Sequence, residues 1–135
     1  MSEAASVLNR IRSTLEGLLG GDEEMQDVYY GACSKKELPN WNYFVFGRLK
    51  TTKDKGTRAG DYQTYYEVNI VHEDYIPEGY VEKVIAALED EDKERPGTKL
   101  KASADDVVYS YTFKGRTDTV VEIATITIHH PEKRC

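Results

Sequence analysis

Cysteine is scarce. The chain has two, Cys33 and Cys135, and they form neither a C-x-x-C pair nor a disulfide framework. This excludes a disulfide-stapled scaffold and fits a reducing, cytoplasmic history. Long apolar runs are missing too. None approaches the ~20 residues that a membrane-crossing helix needs. The start, MSEAASVLNR, lacks the charged segment and uninterrupted apolar stretch of a signal peptide. A soluble product made in the cytoplasm, without a membrane partner, is expected. Histidine is limited to three residues, and no H-E-x-x-H, G-x-x-x-x-G-K-[ST] or dinucleotide fingerprint occurs. Basic charge is in the minority: 18 Lys and Arg against 24 Asp and Glu give a net charge of −6. An acidic surface repels a phosphate backbone, which argues against general nucleic-acid binding.

Tyrosine, by contrast, is plentiful, with ten residues against three phenylalanines and one tryptophan. Such rings either fill half-exposed strand positions or serve interfaces, where the ring packs and the hydroxyl finds a partner. A length of 135 residues fits a single domain with one modest core.

Periodicity orders the elements. SVLNRIRSTLEGLLGG places Val7, Leu8, Ile11, Leu15, Leu18 and Leu19 on one helical face, with Gly20 and Gly21 as the stop. DVYYGA reads as a short strand, and KKELPNW as a turn around Pro39 and Asn40. NYFVFGRLKTT reads as a strand with Gly47 a candidate bulge. KDKGTRAGD then makes a loop at about 50–61 joining two antiparallel strands. In YQTYYEVNIVH, Tyr66, Val68 and Ile70 alternate with Tyr65, Glu67 and Asn69, which marks a strand with one buried face. A second helical face carries Val81, Val84, Ile85 and Leu88, and a polar linker follows at about 89–98. DVVYSYTFKG groups Val107, Tyr109, Tyr111 and Phe113, GRTD reads as a hairpin turn, and TVVEIATITIHH is apolar on both faces. A strand of that kind is central in a sheet or covered by a partner subunit. The expected class is α+β, with a mainly antiparallel sheet of four to five strands and two helices packed on one face.

The consecutive His72, Glu73 and Asp74 raise the question of a metal or acid–base site. Consecutive strand residues point to opposite faces, so His72 and Glu73 diverge, and no second histidine follows at helical spacing. The segment reads instead as a connector between strand and helix. Pro77 fits near the first helical turn, Glu78 at the positive end of the dipole, Asp74 as a cap or turn former, and Tyr75 and Ile76 as a staple. Cys33 has no recognisable activating context, and His129 and His130 sit at a strand end. No catalytic, cofactor-binding or metal-ligating residue is assigned.

The segments WNYFVFGRLKTT, YYEVNIVHEDYIPEGYVEKVIAALE and DVVYSYTFKGRTDTVVEIATITI, in that order, resemble a tail terminator of long-tailed bacteriophages, from about Val28 to Pro131. The resemblance is one of segments and layout, without a catalytic signature. It implies a virion structural protein, made in the host cytoplasm, that forms a homohexameric ring on the finished tail tube. The ring stops addition of tube subunits and presents the surface on which the DNA-filled head docks. Implied partners are copies of itself, the tail tube protein and the head-completion or connector protein. DNA passes through the lumen unbound, and no cofactor is involved. The loop Lys50–Asp61 and the connector Glu73–Gly79 are expected to touch neighbours, because both are long enough to reach beyond the sheet. Lys53, Lys55 and Arg58 would be the charged reach of the first and Tyr75 the anchor of the second. Three alternatives stay open on the residues alone: a head–tail connector of the same neck region, a small hydrolase using His72, and a single-stranded nucleic-acid module using tyrosine stacking and the basic loop.

Overall fold

The structure, a computed structural model, describes residues 3–19, 25–33, 41–53, 62–90, 100–102 and 107–129. Along the chain these form α1 (Glu3–Glu16), β1 (Asp27–Tyr30), β2 (Tyr43–Lys53), β3 (Tyr62–Glu73), α2 (Tyr80–Glu89), β4 (Lys101–Ala102), β5 (Val108–Phe113) and β6 (Val120–His129). The strands build one sheet in the order β1-β2-β3-β6, with β4 and β5 both paired to the far side of β6. Neighbours are antiparallel except β1 and β2, which run parallel.

The α+β class therefore holds, but the sheet has six strands rather than four to five and is mixed. The parallel pair is possible because residues 31–42 separate β1 from β2, a connection long enough to return the chain to the same end of the sheet.

Register explains which residues are buried. Phe44 faces Ile70, Phe46 faces Val68, and Tyr66 faces Ile128, with Ile126 and Ala124 continuing the row on β6. These side chains share one sheet face and form the core with Val7, Ile11 and Leu15 of α1 and Val81, Val84 and Leu88 of α2. Both helices thus pack on one face, as the two 3.6-residue stripes require. β6 is a central strand, with β3 on one flank and β4 and β5 on the other. On the helix-bearing face Ala124, Ile126 and Ile128 are buried, whereas on the other face Val121 is buried and Ile123 is only half-buried.

Two local expectations are corrected. α1 ends at Glu16, before the glycine pair, which lies outside the described residues. Leu18 and Leu19 sit in a following turn and still pack on the core. The strand irregularity falls between Arg48 and Lys50 rather than at Gly47, leaving Leu49 as the extra, exposed residue. α2 begins at Tyr80, with Gly79 as its N-cap at φ 84°, and Pro77 stands just before the first turn. The loop residues 54–61 and most of the 89–98 linker lie outside the described residues. No described helix is long and apolar enough to cross a membrane.

Candidate assembly surface

The His72–Gly79 segment is where β3 hands over to α2. His72 stands opposite Glu122 on the helix-bearing face, and Glu73 opposite Val121 on the other, so the two side chains diverge. His72 Nδ1 donates to the Glu73 carbonyl at 2.7 Å. The Glu73 carboxylate meets Lys114 Nζ at 2.5 Å and accepts the Trp41 N–H at 3.1 Å. Burial alone would raise its pKa, but the Lys114 ammonium and the Trp41 N–H hold it below the usual carboxylate range. The backbone N–H of Glu73 donates to Asn42 Oδ1 at 3.0 Å. Glu73 thus laces strand ends together, while the His72 ring bonds only to its neighbour's carbonyl. Among the described residues, no three His, Cys, Asp or Glu side chains converge as metal ligands.

The turn itself is made by Asp74, at φ 64°, whose N–H donates to the Val120 carbonyl. Ile76 is buried in the core, whereas Tyr75 points outward with 72% of its surface exposed. Glu122 holds this geometry. On the helix-bearing face of β6, its Oε1 accepts the Ile76 N–H and its Oε2 the Tyr111 hydroxyl, both at 2.8 Å. One carboxylate therefore ties the connector to β5. This bond to Glu122 also raises the pKa of the exposed Tyr111.

β5 is the outermost strand on this side. Among the described residues it pairs only with β6, which leaves the hydrogen-bonding groups of its other edge without a strand. Register places Tyr109 opposite Ala124, Tyr111 opposite Glu122 and Phe113 opposite Val120. All three rings lie on the helix-bearing face, yet they are 48%, 63% and 58% exposed. Between Tyr109 and α2 runs an open groove of about 430 Å³, with Tyr75 and Tyr109 on its walls and Glu78, Glu82 and Glu122 supplying charge.

The opposite edge of the sheet is β1. Tyr30 is half exposed there and packs against Phe46 at 5.4 Å between ring centroids. The Arg12 guanidinium lies over Phe46 at 5.4 Å, and Arg48 Nη1 approaches the Tyr30 hydroxyl at 3.5 Å. A shallow depression of about 200 Å³ is lined by Leu8, Asn9, Arg12, Tyr30 and Phe46. On the other face of β1, Tyr29 is buried, and that burial, with Asp27 and Cys33 nearby, pushes its hydroxyl pKa up to about 12.

The sequence-predicted contact residues separate. Tyr75 stands exposed at the groove. Lys53 is exposed at the end of β2 opposite Tyr62, the start of β3. Tyr75 follows the other end of that 12-residue strand, so they lie on the order of 36 Å apart along it. Lys55 and Arg58 lie outside the described residues. Sequence reasoning missed the exposure of Tyr109, Tyr111 and Phe113, the double role of Glu122, and the Arg12–Tyr30–Arg48 group. The alternating YSYTF did mark a strand with an aromatic side, but not that the helices stop short of it. No protein-family model matches this sequence, and no curated protein matches it.

Proposed function

We propose that this chain is a structural assembly protein acting by association rather than catalysis, and that it works as a tail terminator. In this role it forms a ring on the head-proximal end of a phage tail tube, ends tube growth and receives the head. The observation that carries the reading is β5, a sheet edge with three exposed rings on one face and no covering element among the described residues. Exposed apolar edges template pairing with another chain, and proteins that do not use them blunt them. The order of segments, similar to that of tail terminators, supports the particular assembly. A net charge of −6 suits a conduit that DNA crosses without being trapped.

The test is native mass across protein concentration, followed by addition of the protein to growing tail tubes. A closed ring of six 15.4 kDa chains, about 92 kDa, that halts tube elongation is the expected result. Binding to portal-bearing heads but not to tubes would make it a head–tail connector instead. A monomer at every concentration that binds neither tubes nor heads would overturn the assembly reading.

A further inference from the structure

Among the described residues, the two outer strands of the sheet differ in the charge beside them. At the β5 edge, the described lining of the groove includes three carboxylates, Glu78, Glu82 and Glu122, and no cation. At the β1 edge, the described lining of the depression includes the Arg12 guanidinium and no carboxylate, and Arg48 stands on the adjoining Tyr30. Both sit on the helix-bearing face, because Tyr30 shares a register row with Phe46, and Tyr109 and Tyr111 share rows with Ala124 and Glu122. Each edge also carries exposed aromatic surface.

We infer that the acidic β5 edge of one protomer receives the basic β1 edge of a second copy of this chain, in a head-to-tail contact that carries the sheet from one protomer to the next. This rests on the reading of the chain as a self-assembling protein and specifies which surfaces meet. Charge selects the occupant. Two β5 edges meeting each other would oppose carboxylates to carboxylates, and like charges brought together at an interface are strongly unfavourable. The β1 edge presents the opposite sign on the same face of the sheet. The contact is therefore heterologous, the kind that closes into a ring or extends as a filament, whereas a β5-to-β5 contact would stop at a dimer.

Area is consistent with this choice. With ~200 Å² for a fully exposed aromatic side chain, Tyr75, Tyr109, Tyr111 and Phe113 leave roughly 480 Å² uncovered. That is about three-fifths of the ~800 Å² that one partner contributes to a standard interface. The helix rims that bear Glu82 and Arg12, together with the strand edges, supply surface for the remainder.

Charge reversal tests this directly, because Arg12, Arg48, Glu78 and Glu82 are all exposed. Two double variants, Glu78→Lys with Glu82→Lys and Arg12→Glu with Arg48→Glu, each make both edges alike in sign. Each is expected to weaken self-association at least ~10-fold in sedimentation equilibrium while keeping its circular dichroism and melting behaviour. The quadruple variant exchanges the two signs and is expected to return to within ~3-fold of the wild type, as is a 1:1 mixture of the doubles. A folded quadruple variant that stays dissociated would overturn the head-to-tail pairing, and so would a double variant that assembles like the wild type. In either case the assembly reading survives on another surface. A wild-type chain that never associates, alone or on tubes and heads, overturns both.

Discussion

Arg10 tests how the two helices are held together. α2 has no basic residue in its last turn, so its own sequence leaves the negative end of its dipole and its final carbonyls unmet. Arg10, only 2% exposed, meets them from α1: Nη2 donates to the Leu88 carbonyl at 3.1 Å and to the Asp90 carbonyl. Its Nη1 donates to Thr14 Oγ1 one turn further along α1. Removing the guanidinium deletes bonds worth roughly 1.5–3 kcal/mol each, but it also returns the several kcal/mol spent on desolvating the cation. What is not recovered is a buried Leu88 carbonyl without this donor, about 1–3 kcal/mol, and the dipole interaction, about 0.5 kcal/mol. Arg10→Met, which keeps the apolar stem, is therefore expected to cost about 2–3 kcal/mol of a total near ~5–15 kcal/mol. With an unfolding entropy of ~2.1 cal/mol/K per residue over 135 residues, the melting temperature should fall by roughly 7–11 °C. Urea and thermal unfolding followed by circular dichroism measure both quantities. Arg10→Lys keeps the charge and three donors but has no second nitrogen to meet Thr14 while the first meets the carbonyls, so it should lose about half as much. A loss below about 0.5 kcal/mol for Arg10→Met, the range of an ordinary surface change, would refute the inter-helix cap.

Two further outcomes follow from the strand ends. Because the Glu73 pKa is held below its ordinary value of 4.5, its contribution is fully present above that pH and is lost as pH falls through the lower folded value. The stability difference between wild type and Glu73→Gln, about 1 kcal/mol at neutral pH for a partly exposed pair, should therefore shrink below pH 4.5. A difference that stays constant down to pH 3 would remove Lys114 and Trp41 as its cause. Asp74 at φ 64° is in the left-handed region, so Asp74→Ala should cost about 1 kcal/mol in urea unfolding and Asp74→Gly within ~0.5 kcal/mol of nothing. Equal losses in the two variants would show that the side chain, and not the backbone conformation, matters there.

Much of the architecture was legible because it rests on local periodicity. Val7, Ile11 and Leu15, Val81, Val84 and Leu88, and the alternation from Tyr66 to Ile70 each face the core as their spacing requires. The two-sided apolar pattern of Val120–His129 marked a central strand, and β6 does lie between β3 on one flank and β4 and β5 on the other. What was not legible depends on distant pairing. Asp27–Tyr30 is too short to reveal that its partner runs parallel, and Lys101–Ala102 is shorter still. Arg10 was legible in principle, since it stands three residues after Val7 and one before Ile11, inside the apolar stripe. A charge there demands a buried acceptor, but not one 78 residues away on another helix. At the candidate surface, the aromatic side of β5 could be read and its exposure could not, because alternation shows that a face is apolar without showing what covers it.

The division of labour within the sheet bears on how such a chain assembles. None of the six residues of β5 is buried, and the core closes without them. Under the proposed assembly, folding and association would therefore draw on different residues, and a protomer would fold before it met a neighbour. VYSYTF also contains neither Lys nor Pro, the residues that usually blunt an edge strand, and its nearest cations, Lys114 and Arg116, lie in the adjoining turn. A single contact with about 480 Å² of aromatic surface is weak on its own beside a standard ~800 Å² side. In a closed ring every protomer makes two such contacts, and the last one forms intramolecularly, at high effective concentration. Weak edges on a stable fold thus favour free protomers in dilute solution and closed rings where a template gathers them. For the proposed terminator, that template is the tip of the tube.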